Sequence, residues 1–168
     1  MQMPDFRTFV EAVAEADGQP QKAFAALEAL VRDHVGVKLF TIMTSDTVNR
    51  ISERIYSNMP EAYPVSGTKP YNESRWSEIT LNQKRTFVAN TIEDIATVFD
   101  DHPLILSLGC QSVINVPIIA DGRVIGTLNC LHERDFYTAD RVEAAEALKL
   151  PGLVCMLLHD KFKGDDRA

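Results

Sequence analysis

Four aromatic residues with polar tips, Tyr56, Tyr63, Tyr71 and the lone Trp76, fall close together in the chain. Each couples a large apolar ring to one hydrogen-bonding atom, the combination that lines small-molecule pockets. Arg54 and Arg75 flank them. Turned inward, a guanidinium there suits a carboxylate or phosphate; turned outward, it is a solvated surface charge. A second group, Ser112, Ile114, Asn115, Thr127 and Asn129, lies in two apolar runs near the C-terminal end. A half-buried amide or hydroxyl in such a run needs a partner or costs about 1 kcal/mol or more. A ligand, a loop backbone or a water can each supply it.

Cys110 stands between Gly109 and Gln111, the position of a loop thiol at the mouth of a sheet. Partial exposure there would allow a redox sensor or a weak nucleophile. No base adjoins it in sequence, so His102 or His132 would have to approach in space. Cys130 and Cys155 lie within apolar runs and read as core residues. Three cysteines without C-x-x-C spacing fit neither a disulfide framework nor a zinc site. His34, His102, His132 and His159 show no ligand spacing either, so no metal and no cofactor are expected.

The elements that must position these residues follow from periodicity. Phe6, Phe9, Val10 and Val13 share one face of a helix over 4–16, closed by Asp17 and Gly18. Ala23, Phe24, Leu27, Leu30 and Val31 mark a second helix from Pro20 to Gly36. Val37–Ser45 and Arg50–Ser57 are β-rich and predict a hairpin. Asn58–Pro70 has loop chemistry, Tyr71–Leu81 a short helix, Thr86–Ala89 a short strand, and Thr91 caps a broken helical region that runs to Leu108. Thr138 caps the last helix, which Pro151 should kink.

Asp121-Gly122 between Ser112–Ile119 and Val124–Leu131 predicts a tight type I′ hairpin. Its register decides which side chains share a face, because a slip of one residue moves a whole set to the other side. A two-residue loop sets Ile114 opposite Asn129, Val116 opposite Thr127 and Asn115 opposite Leu128. A three-residue loop sets Asn115 opposite Thr127, clustered with Asn129. The turn residues favour the first.

The fold class that results is α+β: an antiparallel sheet of five to six strands. N- and C-terminal helices cover one face, and loops with short helices cover a pocket on the other. The 168 residues form a single expected domain, with an N-terminal helical extension over 1–19, a core over 20–158 and a flexible tail over 159–168. A net charge of -7 disfavours polyanions, so no nucleic acid and no anionic membrane is expected as partner. No apolar run reaches the roughly 20 residues of a membrane span, and the N-terminus lacks a signal-peptide core, which points to a cytoplasmic location. Leu153, Val154, Met156, Leu157 and Leu158 form a nearly continuous patch, the natural seam of a homodimer through the N- and C-terminal helices.

Three strings, Ser112-Val113-Ile114-Asn115-Val116-Pro117-Ile118, Asp121-Gly122-Arg123-Val124-Ile125-Gly126-Thr127-Leu128 and Phe136-Tyr137-Thr138-Ala139-Asp140, resemble the GAF domain family over roughly Pro20–Leu158. The resemblance implies a GAF-like sensory fold, related to the profilin and PAS type, standing alone and without one fixed chemistry. Of the family's cyclic-nucleotide pattern, the matching positions are His132, Glu133, Phe136, Asp140 and Arg141, and only Phe136 and Asp140 agree. Free methionine-R-sulfoxide reductases resemble the chain around His102 and the last hairpin. Their cysteine position is Ile105 here, and their strand glutamate is Val113. The longer bilin-attachment motifs are not found.

Together these readings predict a small-molecule-binding regulatory domain in signal transduction, with no enzymatic activity and an unspecified organic ligand. The expected ligand contacts are Trp76, Tyr56, Tyr63, Tyr71, Ser112, Ile114, Thr127 and Asn129. One alternative is a reductase of the methionine-sulfoxide type that uses Cys110, with Cys130 as resolving thiol. Another is a protein-interaction module with a vestigial pocket.

Overall fold

The computed structural model describes residues 4–65 and 67–163. Helices α1 (Arg7–Ala14) and α2 (Gln21–His34) come first. In α2, Ala23, Phe24, Leu27, Leu30 and Val31 recur at helical spacing and are buried. Strands β1 (Leu39–Asp46) and β2 (Ile51–Ser57) pair as an antiparallel hairpin. Within the segment expected to be loop, β3 (Thr68–Pro70) adds a short edge strand on β2. An edge position tolerates Pro70, because one side of the strand has no ladder to complete.

Ser74 then opens α3 (Arg75–Ser77) through a reciprocal cap, its Oγ accepting from the Ser77 N–H while the Ser77 Oγ accepts from the Ser74 N–H. The chain continues into a π-helical turn at Glu78–Asn82. Next come β4 (Phe87–Ala89), α4 (Ile92–Ala96) and α5 (His102–Ser107). Thr91 caps α4, its Oγ1 accepting from the Asp94 N–H at 3.1 Å. The chain ends with β5 (Ser112–Ala120), β6 (Arg123–His132), α6 (Ala139–Glu146) and α7 (Lys149–Phe162).

All six strands form one antiparallel sheet in the order β3-β2-β1-β6-β5-β4. Its faces carry two separate apolar clusters. Helices α1, α2, α6 and α7 pack on one face around Phe24, Leu27, Phe40, Ile42, Ile114, Val116, Leu128 and Cys155. On the other face Leu39, Phe87, Val113 and Leu131 meet Ile95 of α4 and Ile105 of α5 beneath a cover of α3, α4, α5 and the long loops.

Two β-bulges set the phase of the strands. Asp121 and Gly122 take φ of 47° and 70°, the left-handed pair that a type I′ turn requires, so the tight turn forms as expected. Ala120 pairs with Arg123 and Ile119 with Val124, but Ile118 pairs with Gly126, leaving Ile125 as an extra residue. Asn115 therefore lies opposite Asn129, Val116 opposite Leu128 and Pro117 opposite Thr127, which corrects both expected registers. In the first hairpin Ile42 pairs with Tyr56 and Met43 with Arg54, so Ile55 is the extra residue.

Local details also differ from the pattern. Thr138 holds the N-cap position of α6 without a side-chain cap bond. Pro151 does not kink a continuous helix; the break comes at Ala147–Leu148, and Pro151 falls in the first turn of α7, where its missing N–H costs nothing. Val10 leaves the apolar stripe of α1 and is exposed, while Phe9 is buried. His159–Phe162, expected in the tail, form the last turn of α7 and Lys163 caps it; residues 164–168 of that tail lie outside the described residues. Of the five residues in the expected dimer seam only Leu157 stays exposed, and Met156 is buried against Gly126.

Gly126 shows how tightly the helical layer seats. A Cβ there would come within 2.4 Å of both the Met43 carbonyl oxygen and the Met156 Cε. A Cβ at Gly152 on α7 would meet only side-chain tips, Ile118 Cδ1 at 2.9 Å and Leu128 Cδ1 at 3.1 Å. Gly126→Ala is therefore expected to lower unfolding free energy by about 1–3 kcal/mol in urea titration. Gly152→Ala is expected to cost less, since helix propensity returns up to about 1 kcal/mol. The reverse order would contradict this packing.

Candidate functional site

Along the covered face, alternation brings polar side chains from three adjacent strands into one row. Asn115 on β5 donates from Nδ2 to Asn129 Oδ1 on β6 at 2.7 Å, and Asn129 Nδ2 donates to Thr41 Oγ1 on β1 at 3.1 Å. Trp76 on α3 completes the row from above, its Nε1–H donating to Asn115 Oδ1 at 3.0 Å. Thr41, Asn115 and Asn129 are all buried. The relay satisfies two buried carboxamides that would each cost about 1–3 kcal/mol if left unpaired.

Between this row and its cover lies a cavity of about 300 Å³. Its apolar wall includes Leu39, Val98, Phe99, Ile105, Val113 and Leu131. Phe99 is held in the cover by ring contacts to Trp76 and Phe87, with centroids at 6.2 and 6.3 Å. The exposed Lys69, Asn72 and Asp100 mark the mouth. There the Tyr63 hydroxyl donates to Asp101 Oδ2 at 2.7 Å, tying the loop after β2 to the loop before α5. Burial first, and the Asp101 bond second, push the Tyr63 pKa well above the ordinary phenol value, so this hydroxyl keeps its proton. The Arg54 guanidinium lies over the Tyr63 ring, 4.9 Å from its centroid.

The expected contacts divide between the two faces. Tyr63, Tyr71, Trp76 and Asn129 line the cavity, and Arg54 and Asn115 join them. Tyr56 and Ile114 instead face the helical layer. The Tyr56 hydroxyl donates to Glu28 on α2 and its ring packs on Phe24 and Phe40, because the bulge at Ile55 turns it over. Ile114 lies in the helix-side core, because the bulge at Ile125 gives its expected place to Asn115. Thr127 is buried on the same strand as Asn129 but is not part of the cavity lining. Ser112 is spent on backbone, its Oγ donating to the Glu133 carbonyl at 2.6 Å. Sequence reasoning missed Thr41, Met43 and Asp101; alternation along β1 could have flagged the first two once Leu39 was placed inward.

Cys110 is not the partly exposed thiol that was expected. It is fully buried, and burial raises its pKa above the ordinary thiol value, which makes it a poor nucleophile. Cys130 belongs to the helix-side cluster and Cys110 to the cluster on the covered face, so the sheet separates the two thiols. Among the described residues no cluster of His, Cys, Asp or Glu is arranged to hold a metal. The Phe136 ring stacks on His132 at 3.4 Å, with Arg141 over it at 3.9 Å, and none of the three lines the cavity.

A single antiparallel sheet with helices on one face and a small cavity under its other, loop-covered face is the geometry on which the comparison with known proteins bears. The family model described as GAF domain matches residues 23–148. The chain belongs to the GAF domain family. GAF domains are typical of sensory and signalling proteins.

Similar structures include the GAF domain of a phosphoenolpyruvate-protein phosphotransferase from Coxiella burnetii, with TM-score 0.70, 13% identity and coverage of 95% of this chain and 94% of that one. The phycocyanobilin-bound GAF domain of a cyanobacterial phytochrome matches with TM-score 0.67 and 14% identity over 96% of each chain. A type II free methionine-R-sulfoxide reductase from Thermoplasma acidophilum matches with TM-score 0.63 and 11% identity, covering 80% of this chain and 89% of that one. At such identities the likeness carries the fold alone. GAF domains are generally regulatory, yet the last of these is an enzyme. No curated protein matches this sequence. No described helix is long and apolar enough to cross a membrane.

Replacing Asn115 by Ala removes the acceptor of the Trp76 indole and the donor to Asn129 together. The expected loss is about 2–3 kcal/mol of unfolding free energy, measured by urea titration followed through far-UV circular dichroism. A loss near zero would mean that the row is not formed in solution.

Proposed function

We propose that this GAF domain is a regulatory module that binds a small organic molecule in the cavity between sheet and cover and passes on its occupancy. One observation carries the reading: a cavity with an open mouth whose floor is a continuous polar row ending on the tryptophan of α3 in the cover. A ligand resting on that floor competes for, or extends, the same hydrogen bonds, so occupancy reaches α3 directly.

Binding without turnover is favoured by what lines the space. Ile105 and Val113, the positions that the resemblance to the reductases would give to a cysteine and a glutamate, both face the cavity as hydrocarbon. With Cys110 buried and Cys130 across the sheet, the reductase reading has no thiol pair to work with. A homodimer in the cytoplasm, with contact through the exposed Leu150 and Leu157 of α7, accords with the same reading.

Native mass spectrometry of the protein isolated from its own host, set against its denatured mass, tests this. The expected result is a non-covalent adduct that dissociates on denaturation and is lost or much reduced in Val98→Phe, which narrows the cavity from the cover side. A wild-type protein that stays unshifted after incubation with a host metabolite extract would overturn the reading and favour a protein-interaction module instead.

A further inference from the structure

Among the cavity-lining groups, Arg54 and the Tyr71 hydroxyl keep buried hydrogen-bonding capacity unused, and Arg54 is the charged one. Its Nη1 donates to the Pro64 carbonyl at 3.2 Å. Its Nε is sealed from solvent and has no hydrogen-bond partner, and Nη2 makes no hydrogen bond among the described residues. Nor does it form an ion pair with any described carboxylate. A charged donor without an acceptor is costly, and Nε and Nη2 point the same way as the parallel fork that matches the two oxygens of one carboxylate; with Nε sealed, a ligand reaches the fork at Nη2 and completes it when the side chains over Nε give way. The Tyr63 ring beneath the guanidinium and the bond to Pro64 fix its plane. Burial also pulls the Arg54 pKa below the ordinary arginine value, and the charge of Asp101 offsets this only in part.

The remaining lining sets the size and charge of what could fit. Leu39, Val98, Phe99 and Leu131 offer hydrocarbon contact, and about 300 Å³ lies at the small end of ligand cavities. Asp100 and Asp101 line the same cavity, so each negative charge on a ligand adds repulsion, and a dianion such as a phosphate monoester meets about twice that of a monocarboxylate. The only other cation in the lining is Lys69, exposed at the mouth.

We infer that the cavity takes a compact monocarboxylate, its carboxylate held side-on by Arg54 and its hydrocarbon body lying over the Asn115–Asn129 row. This rests on the cavity being a ligand site and names the chemical class of what occupies it.

The test uses the whole chain and three probe acids, butanoate, 4-methylpentanoate and phenylacetate, each against its neutral carboxamide, with phenyl phosphate as the dianion. Trp76, the single tryptophan, reports binding by fluorescence, and thermal shift gives a second readout. At least one acid is expected to bind saturably and at least tenfold more tightly than its amide and than phenyl phosphate. Arg54→Gln, and more mildly Arg54→Lys, which keeps the charge but loses the fork, should erase that preference while circular dichroism stays unchanged. Should Arg54→Gln fail to fold, the comparison of acid with amide on the wild-type protein still decides.

Equal binding of acid and amide, or a preference that survives in Arg54→Gln, overturns the inference and leaves the ligand-site reading standing. Tighter binding of phenyl phosphate overturns the assignment to monocarboxylates. If no probe binds while native mass spectrometry shows a retained molecule, the inference fails alone; if neither experiment detects a ligand, both fail.

Discussion

A buried carboxamide must find partners, and Asn115 and Asn129 find one in each other, with Trp76 and Thr41 completing the set. Around that single bond the covered half of the molecule is organised. It joins β5 to β6 on the covered face, passes to Thr41 on β1, and receives the indole N–H of Trp76. Were Asn115 to face Leu128 instead, one amide would enter the helix-side core without a partner and Trp76 would lose its acceptor. Both the sheet register and the seat of the cover thus depend on one pair of side chains.

That pair exists because of the bulge at Ile125. The Asp121-Gly122 turn, the hairpins, α2 and the arrangement of helices on one sheet face were all legible from turn chemistry and periodicity. A bulge has no comparable signal, since one extra residue in an apolar strand leaves composition and alternation almost unchanged. The consequences fell on the site and not on the fold. Ile114 went to the helix side in place of Asn115, and the second bulge, at Ile55, sent Tyr56 the same way while keeping Arg54 with Met43 in the cavity lining. Tyr63, Tyr71 and Trp76 were easier to place, because loop residues with polar aromatic rings have few apolar surfaces to seat on besides the open face.

The two faces divide the work. The helical layer is dense enough that Gly126 has no room for a methyl group, and it holds Cys130 and Cys155, the latter with its thiol pKa pushed up to about 12 by burial. The covered face instead combines hydrocarbon, one satisfied polar row and one guanidinium whose donors are mostly free. Reactive groups are absent from the lining where a redox relative would carry them, while groups that recognise shape and charge are present. In a family whose members share a fold more than a chemistry, this lining is the part that individualises the chain.

The most direct measurement is a nitrogen-15 correlation spectrum of the Trp76 indole and of the Asn115 and Asn129 side-chain amides, recorded before and after addition of host metabolite extract. The account predicts an indole proton that exchanges slowly in the free protein, and shifts of all three signals on addition, with the backbone amides around Cys155 unmoved. An indole proton in free exchange with solvent, or three signals that ignore the extract, would contradict it.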